Sequence, residues 1–140
     1  MFEGGCLCGA ITYKINGKPI VVAHCSCRDC QKVSGAGHST GAMFPVEQIS
    51  VAGEMAEYKS LAESGNMVSH LFCPTCSSRL FGKNTGMPGV MTVAVGTLND
   101  SDMFEPQVAI FARSRRHWDL ADTRVQSFDA QPAWRPEDGV

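Results

Sequence analysis

The sequence contains no apolar run that approaches the roughly 20 residues a helix needs to cross a membrane. It also lacks a basic segment followed by an apolar stretch near its start, so we expect no signal peptide. Basic residues are not in excess, because 12 lysines and arginines stand against 14 acidic residues, whereas a general nucleic-acid binder carries a basic surplus. These absences predict a cytoplasmic protein that acts on neither membranes nor nucleic acids.

No linker, internal repeat or low-complexity segment divides the 140 residues, which predicts a single domain over 1–140. Hydrophobic residues make up 44% and charged residues 19% of the chain, a balance typical of a globular domain with a core. Residues 119–140 turn acidic and lose their periodicity. We expect this last stretch to be a tail that lies over the surface.

Short segments rich in β-branched and aromatic residues recur between turn signals, which predicts an all-β domain. The clearest predicted strands are 9–15, 19–24, 49–52, 56–60, 67–72, 90–95 and 107–111. Strands 49–52 and 56–60 are expected to form a hairpin around Gly53-Glu54. The one helical segment, of one or two turns, is predicted over 28–34 and ends at Gly35.

All seven cysteines fall into three clusters, and clustered cysteines in a reducing compartment are more often metal ligands than disulfides. Cys73 and Cys76 form a C-x-x-C knuckle, whose tight turn brings both sulfurs to one metal. Cys6 and Cys8 would lie roughly 7 Å apart in an extended chain, so the backbone must curl there. We predict a closed zinc site of these four residues. The alternative is that they are buried free thiols.

Cys25, Cys27 and Cys30 form a C-x-C-x-x-C pattern within six residues. Three thiolates can hold a zinc ion and leave its fourth position open for chemistry. Such a site carries a net negative charge, which suits it to binding a soft thiolate rather than to activating water. The alternative is redox cycling of the thiols without a metal.

Spacing alone leaves the fourth ligand of this trio open, and the candidates are His24, His38, His70 or a cysteine of another cluster. His24 adjoins Cys25 and would point to the opposite face of a strand, which favours a supporting role. His24 and His38 are also weak candidates for a general acid.

Nearby basic residues are candidates for offsetting the negative charge, and the nearest are Arg28 and Lys32. A second basic run could receive the carboxylates of a substrate such as glutathione. It consists of Arg113, Arg115, Arg116 and His117.

Taken together, these motifs resemble the glutathione-dependent formaldehyde-activating enzyme family, which includes centromere protein V-like proteins. The resemblance covers about residues 4–118 and includes non-cysteine motifs as well as the three clusters. The motifs are Gly5–Tyr13, Cys25–Lys32 with Ser34-Gly35, Phe72–Leu80, Val95–Asp100, and Pro106–Phe111 ahead of Trp118. Two residues depart from the family pattern, since Ser26 stands where many members have His and Ser77 where many have Gly.

The resemblance implies an irregular all-β, Mss4-like fold with two zinc ions per chain. It implies that Cys6, Cys8, Cys73 and Cys76 are structural zinc ligands and that Cys25, Cys27 and Cys30 are catalytic zinc ligands. The implied activity is that of a carbon–sulfur lyase, which joins glutathione and formaldehyde as S-hydroxymethylglutathione. The expected partners are therefore a small thiol and a small aldehyde. A thiol or zinc carrier without turnover and an interaction domain on the same scaffold are the alternatives.

Overall fold

The computed structural model describes residues 1–132. Within this range the chain is mostly β, as predicted. Its strands are β1 (Phe2–Gly5), β2 (Thr12–Ile15), β3 (Val21–Cys25), β4 (Ser39–Pro45), β5 (Ile49–Ala52), β6 (Ala56–Leu61), β7 (Met67–Phe72), β8 (Arg79–Asn84), β9 (Val90–Ala94), β10 (Val108–Ile110) and β11 (Gln126–Ser127). The helix α1 spans Arg28–Ser34, and 3₁₀ turns cover Val46–Gln48, Val95–Thr97 and Ala112–Ser114.

The strands form two sheets. The smaller has the order β1-β2-β5 and is antiparallel. The larger has the order β11-β10-β3-β4-β9-β8-β7-β6, in which only β10 pairs in parallel, with β3 on one side and β11 on the other. Period-two alternation gives each strand of the larger sheet two distinct faces.

The core lies between the small sheet and one face of the large sheet. Tyr13 packs edge-on against Phe81 with ring centroids 5.0 Å apart, and Phe44 and Val93 are fully buried beside them. The opposite face of the large sheet is therefore left to form a different surface, and the cysteine trio lies on that side.

The predicted hairpin between 49–52 and 56–60 is wrong, although both strands exist. β5 pairs with β2 in the small sheet, whereas β6 pairs with β7 in the large one. Gly53, at φ +105°, carries the chain between the sheets and passes so close to the Ala10 carbonyl that a Cβ would lie 2.4 Å from it. The turn signal was correct, but a turn signal does not specify which strand the chain pairs with next.

β8 and the two strands at the ends of the described chain were not predicted. β1 is only four residues long and contains two glycines, and β11 is two residues long. β11 falls in the stretch predicted to be a surface tail, where it extends the large sheet next to β10. Residues 133–140 of that predicted tail lie outside the described residues.

The helix α1 has the predicted bounds. Cys27 caps its start by accepting a hydrogen bond from the Cys30 amide, and Gly35 ends it in the left-handed conformation at φ 67°. No helix in the described part of the chain is long and apolar enough to span a membrane.

Candidate metal centres

Cys6, Cys8, Cys73 and Cys76 come together where β1 and β7 end. Their four sulfurs all lie within 4.8 Å of one another. The first pair sits in the turn after β1, which Gly9 allows at φ 80°, so the chain curls as its spacing required. The second pair follows β7, and the Thr75 and Cys76 amides both donate to the Cys73 sulfur. Backbone from distant parts of the chain thus presents four sulfurs to one point.

The sulfur spacing fits a tetrahedral metal site. Sγ of Cys8 lies 3.7 Å from Sγ of Cys6 and 3.8 Å from Sγ of Cys73. A tetrahedral ion with metal–sulfur bonds of about 2.3 Å has sulfur–sulfur edges of about 3.8 Å. The donor set of this cluster therefore suits zinc in both chemistry and geometry.

Ser77 stands where many proteins of the resembling family have Gly, and its backbone has a conformation that glycine adopts with the least strain. Its φ is 64°, a left-handed conformation that is uncommon for other residues. Its hydroxyl donates to the Cys76 carbonyl at 2.6 Å, and its amide donates to the Cys73 carbonyl at 2.9 Å. These bonds hold the knuckle closed despite the extra side chain.

Cys25, Cys27 and Cys30 form the second cluster, and their sulfurs also lie within 4.8 Å of one another. Cys25 ends β3, Cys27 caps α1, and Cys30 lies in the first turn of that helix. A cap and a residue three positions later meet on one side of a helix start, which brings the second and third sulfurs together.

The three thiols cannot all ionise easily without a cation. Hydrogen bonds from Cys25 and Cys30 lower the pKa of the Cys27 thiol. The pKa of Cys25 is raised because its thiol donates hydrogen bonds to the sulfurs of Cys27 and Cys30 and because it is buried. A divalent ion removes this conflict, because each thiolate then faces positive charge.

A cavity of about 920 Å³ opens beside the trio on the free face of the large sheet. Its lining is mixed, because apolar side chains such as Met43 and Phe128 lie beside polar and charged ones such as Asp29, Glu63 and Arg79. Ligand pockets in proteins typically measure roughly 300–1,000 Å³. The three sulfurs therefore face a space that accommodates a substrate larger than a single small aldehyde.

Gln31 fastens the trio to the segment after β10. Its side-chain nitrogen donates to the Ser26 carbonyl at 2.8 Å and to the Ser114 carbonyl at 3.0 Å. Its oxygen accepts from the guanidinium groups of Arg28 and Arg116. Because Gln31 is 6% exposed, these bonds are shielded from water and fix the helix that carries Cys30.

A family model described as "Glutathione-dependent formaldehyde-activating enzyme" matches residues 1–114. The chain belongs to this family. The family has an Mss4-like fold, so the fold class that we predicted is confirmed.

The crystal structure of a Rhodobacter sphaeroides protein resembles this family member in fold. The match covers 72% of this chain and 91% of the Rhodobacter sphaeroides chain, with a TM-score of 0.57 and 20% sequence identity. A likeness at this identity concerns the fold alone. No protein of curated function matches the chain.

None of the three candidate histidines joins the trio as a fourth ligand in residues 1–132 of this family member. His24 and His38 lie away from the cavity, with ring centroids 4.6 Å apart. His38 Nδ1 lies 2.8 Å from Asp119, and His24 Nδ1 lies 2.8 Å from Thr40. Period-two alternation in β3 turns His24 away from the Cys25 face, as expected.

The basic run that was a candidate for binding carboxylates makes other contacts. Arg113 pairs with Glu63, Arg115 donates to the Asp119 carbonyl at 2.6 Å, and Arg116 donates to Gln31. None of these side chains lines the cavity. Of the two bases near the trio, Arg28 lines it and Lys32 does not.

Arg79 and His70 line the cavity together with the trio. Sequence reasoning gave Arg79 no role, because it follows the cysteine knuckle at the start of a strand, where no motif sets it apart. Only the pairing of β8 reveals where its side chain points.

Proposed function

We propose that this family member is a zinc-dependent carbon–sulfur lyase that joins a thiol such as glutathione to formaldehyde or another small aldehyde, and cleaves the same adduct. One observation carries the proposal. Three cysteines face a cavity of about 920 Å³, and no fourth histidine, cysteine or carboxylate in residues 1–132 joins their cluster. Membership of a family named for a formaldehyde-activating enzyme supports it.

In this proposal Cys6, Cys8, Cys73 and Cys76 hold a structural zinc ion, and the trio holds a catalytic one. Zinc at the trio supplies a Lewis-acid centre that stabilises a bound thiol as its thiolate. The protein orients the trio through α1, Gln31 and the end of β3, and apolar side chains line part of the cavity beside it. We place this chemistry in the cytoplasm, where thiols stay reduced.

The addition step balances without an oxidant or a reductant. The thiolate sulfur attacks the aldehyde carbon, a carbon–sulfur bond forms, and the carbonyl π bond breaks. Its electron pair moves to oxygen, which then takes a proton from water. The reverse sequence releases thiol and aldehyde. Holding both reactants in one cavity makes the step effectively unimolecular, which is the main advantage that the protein's walls offer.

Metal content and ligand binding test the proposal. We expect two zinc ions per chain in protein purified under reducing conditions. After cobalt is substituted for zinc, glutathione should change the absorption spectrum of the trio's centre, and a Cys27→Ser variant should lose that change. A reduced chain that holds one zinc ion with three titratable thiols, or a spectrum that no thiol alters, contradicts the proposal.

A thiol carrier would give the same spectral change, so rate must separate the two functions. Formaldehyde and glutathione combine spontaneously, and the enzyme should raise the rate of adduct formation above that background in proportion to its concentration. Cys27→Ser serves as the matched control for non-specific acceleration. A spectral response without any added rate would favour the carrier.

A further inference from the structure

A β-bulge in β8 aims Arg79 into the cavity. β7 and β8 pair Leu71 with Phe81 and then Phe72 with Arg79, so Leu80 is an extra residue. Strict alternation would place Arg79 on the same face as Phe81, which is fully buried in the core. The bulge turns Leu80 and Phe81 both toward the core and Arg79 toward the opposite face.

Neighbouring residues then hold the guanidinium in one place. Its Nη2 lies 3.4 Å from Nδ1 of His70, whose Nε2 lies 2.9 Å from the Ser60 hydroxyl. Because a guanidinium only donates, Nδ1 of His70 accepts and its Nε2–H donates to Ser60. Gly82 makes room for this arrangement, since a Cβ there would lie 2.7 Å from Nη2.

Arg79 has no carboxylate within salt-bridge distance among residues 1–132, although Asp29 and Glu63 line the same cavity. Its Nε is buried without a hydrogen-bond acceptor in the same range of residues. Burial lowers the pKa of this guanidinium, whereas the thiolates of Cys30, Cys25 and Cys27 raise it. The positive charge therefore lies within electrostatic reach of the trio, in the same cavity.

We infer that Arg79 is a positioning residue that favours an anionic sulfur ligand at the cysteine trio over a neutral ligand. The inference rests on the proposed thiol-binding function. A divalent ion with three thiolates already carries one net negative charge, and a bound thiolate adds a second. A cation held in the same cavity offsets the added charge, whereas it gains nothing when a neutral ligand binds.

The test compares two small ligands on the cobalt-substituted protein. The probes are 2-mercaptoethanol, which carries no carboxylate and binds as a thiolate, and imidazole, which binds as a neutral ligand. Arg79→Gln removes the charge but keeps hydrogen-bond donors. We expect it to weaken 2-mercaptoethanol binding by roughly tenfold or more, the usual scale for a contact with a charged group, and to leave imidazole binding unchanged.

Lys83→Gln is the matched control, because Lys83 is another cation of β8 that lines the cavity. We expect it to change 2-mercaptoethanol binding by less than threefold. A second test variant, Gly82→Ala, keeps the charge and displaces the guanidinium, so it should weaken 2-mercaptoethanol binding in the same direction as Arg79→Gln. It also keeps the test open if Arg79→Gln fails to fold.

The outcomes separate this inference from the proposed function. If 2-mercaptoethanol leaves the wild-type spectrum unchanged, the proposed thiol-binding function fails. If 2-mercaptoethanol binds equally to wild type and to Arg79→Gln, the selective role of Arg79 is overturned while thiol binding stands. The same holds if Arg79→Gln weakens the binding of 2-mercaptoethanol and of imidazole equally. A loss that affects glutathione but not 2-mercaptoethanol also overturns it, because Arg79 would then be binding a carboxylate.

Discussion

Removing the four-cysteine site should lower the free energy of unfolding more than removing the trio does. The Cys6/Cys8 pair and the Cys73/Cys76 pair join the amino terminus to the middle of the chain, and Cys8 and Cys73 are 65 positions apart. Closing a loop of that length restricts the unfolded chain by about 4 kcal/mol, by the relation used for cross-links. The trio closes a loop of about five residues, which amounts to about 2 kcal/mol by the same relation.

The double substitution Cys8→Ser/Cys76→Ser tests this difference. Cys8 is exposed and Cys76 is partly exposed, whereas Cys6 and Cys73 are buried in the core and would leave cavities. We expect the double variant to lose one zinc ion and at least about 4 kcal/mol of the free energy of unfolding. Most domains have only about 5–15 kcal/mol in total, so partial unfolding at 25 °C is within the expected range.

The matched control is Cys25→Ser/Cys27→Ser, which removes two ligands from the trio. It should also lose one zinc ion but at most about 2 kcal/mol. Urea denaturation followed by far-ultraviolet circular dichroism, in a reductant that does not chelate, gives both free energies, and elemental analysis gives the zinc content. Equal losses in the two variants, or a larger loss in the control, would refute the assignment of the first cluster as the structural site.

Substitutions at three further positions probe the fold around the site, each by urea denaturation. Burial raises the pKa of Tyr13 to about 12 from 10.0. The unfolded chain therefore loses this proton at a lower pH than the folded chain, and up to about 3 kcal/mol of the free energy of unfolding is lost between pH 10 and 12. Tyr13→Phe should lack this part of the alkaline loss. Gly35→Ala should cost about 1 kcal/mol because position 35 has a φ of 67°, and Gly35→Asn should cost less. Gln31→Met should cost about 2–3 kcal/mol, since it leaves the Ser26 and Ser114 carbonyls without their side-chain donor.

Local patterns predicted the strands and the cysteine grouping well. Met67–Phe72 was predicted as a strand and forms β7 with the expected bounds, and Arg28–Ser34, predicted as a helix ended by Gly35, forms α1 with the expected bounds. Both cysteine groupings followed from spacing and from the family resemblance, and the structure brings each group together. The strand, the helix and the trio depend on residues a few positions apart, where backbone geometry allows few alternatives. The four-cysteine grouping spans 65 positions and was implied by the family resemblance.

Pairing between distant segments was much harder to predict. The turn at Gly53-Glu54 looks like a hairpin turn, yet β5 and β6 lie in different sheets. β11 has only two residues and depends on pairing with β10 rather than on its own composition. The same limit explains the basic run, because Arg113 and Arg116 find partners 50 and 85 residues away in sequence.

Arg79 shows why strand periodicity can fail to predict a residue that lines the cavity. Alternation in Arg79-Leu80-Phe81 places the first and third residues on one face, so a buried Phe81 would put Arg79 in the core. An arginine without a partner is rarely buried there, and the pattern therefore favours an exposed strand start. One extra residue in the ladder reverses this conclusion, and nothing in the local composition marks a bulge at Leu80.

The energetics of Arg79 also argue that its position serves the site rather than the fold. Arg79 is half-buried, and its Nε is buried without an acceptor in the described chain, so part of the hydration of the guanidinium is lost at a free-energy cost that other groups must offset. Its one hydrogen bond within residues 1–132, to His70 at 3.4 Å, is long and offsets little of that cost. An apolar side chain of similar volume would fill the same space more cheaply. In the proposed site, the negative charge of the cysteine trio with a bound thiolate would supply this compensation, together with Asp29 and Glu63, which also line the cavity.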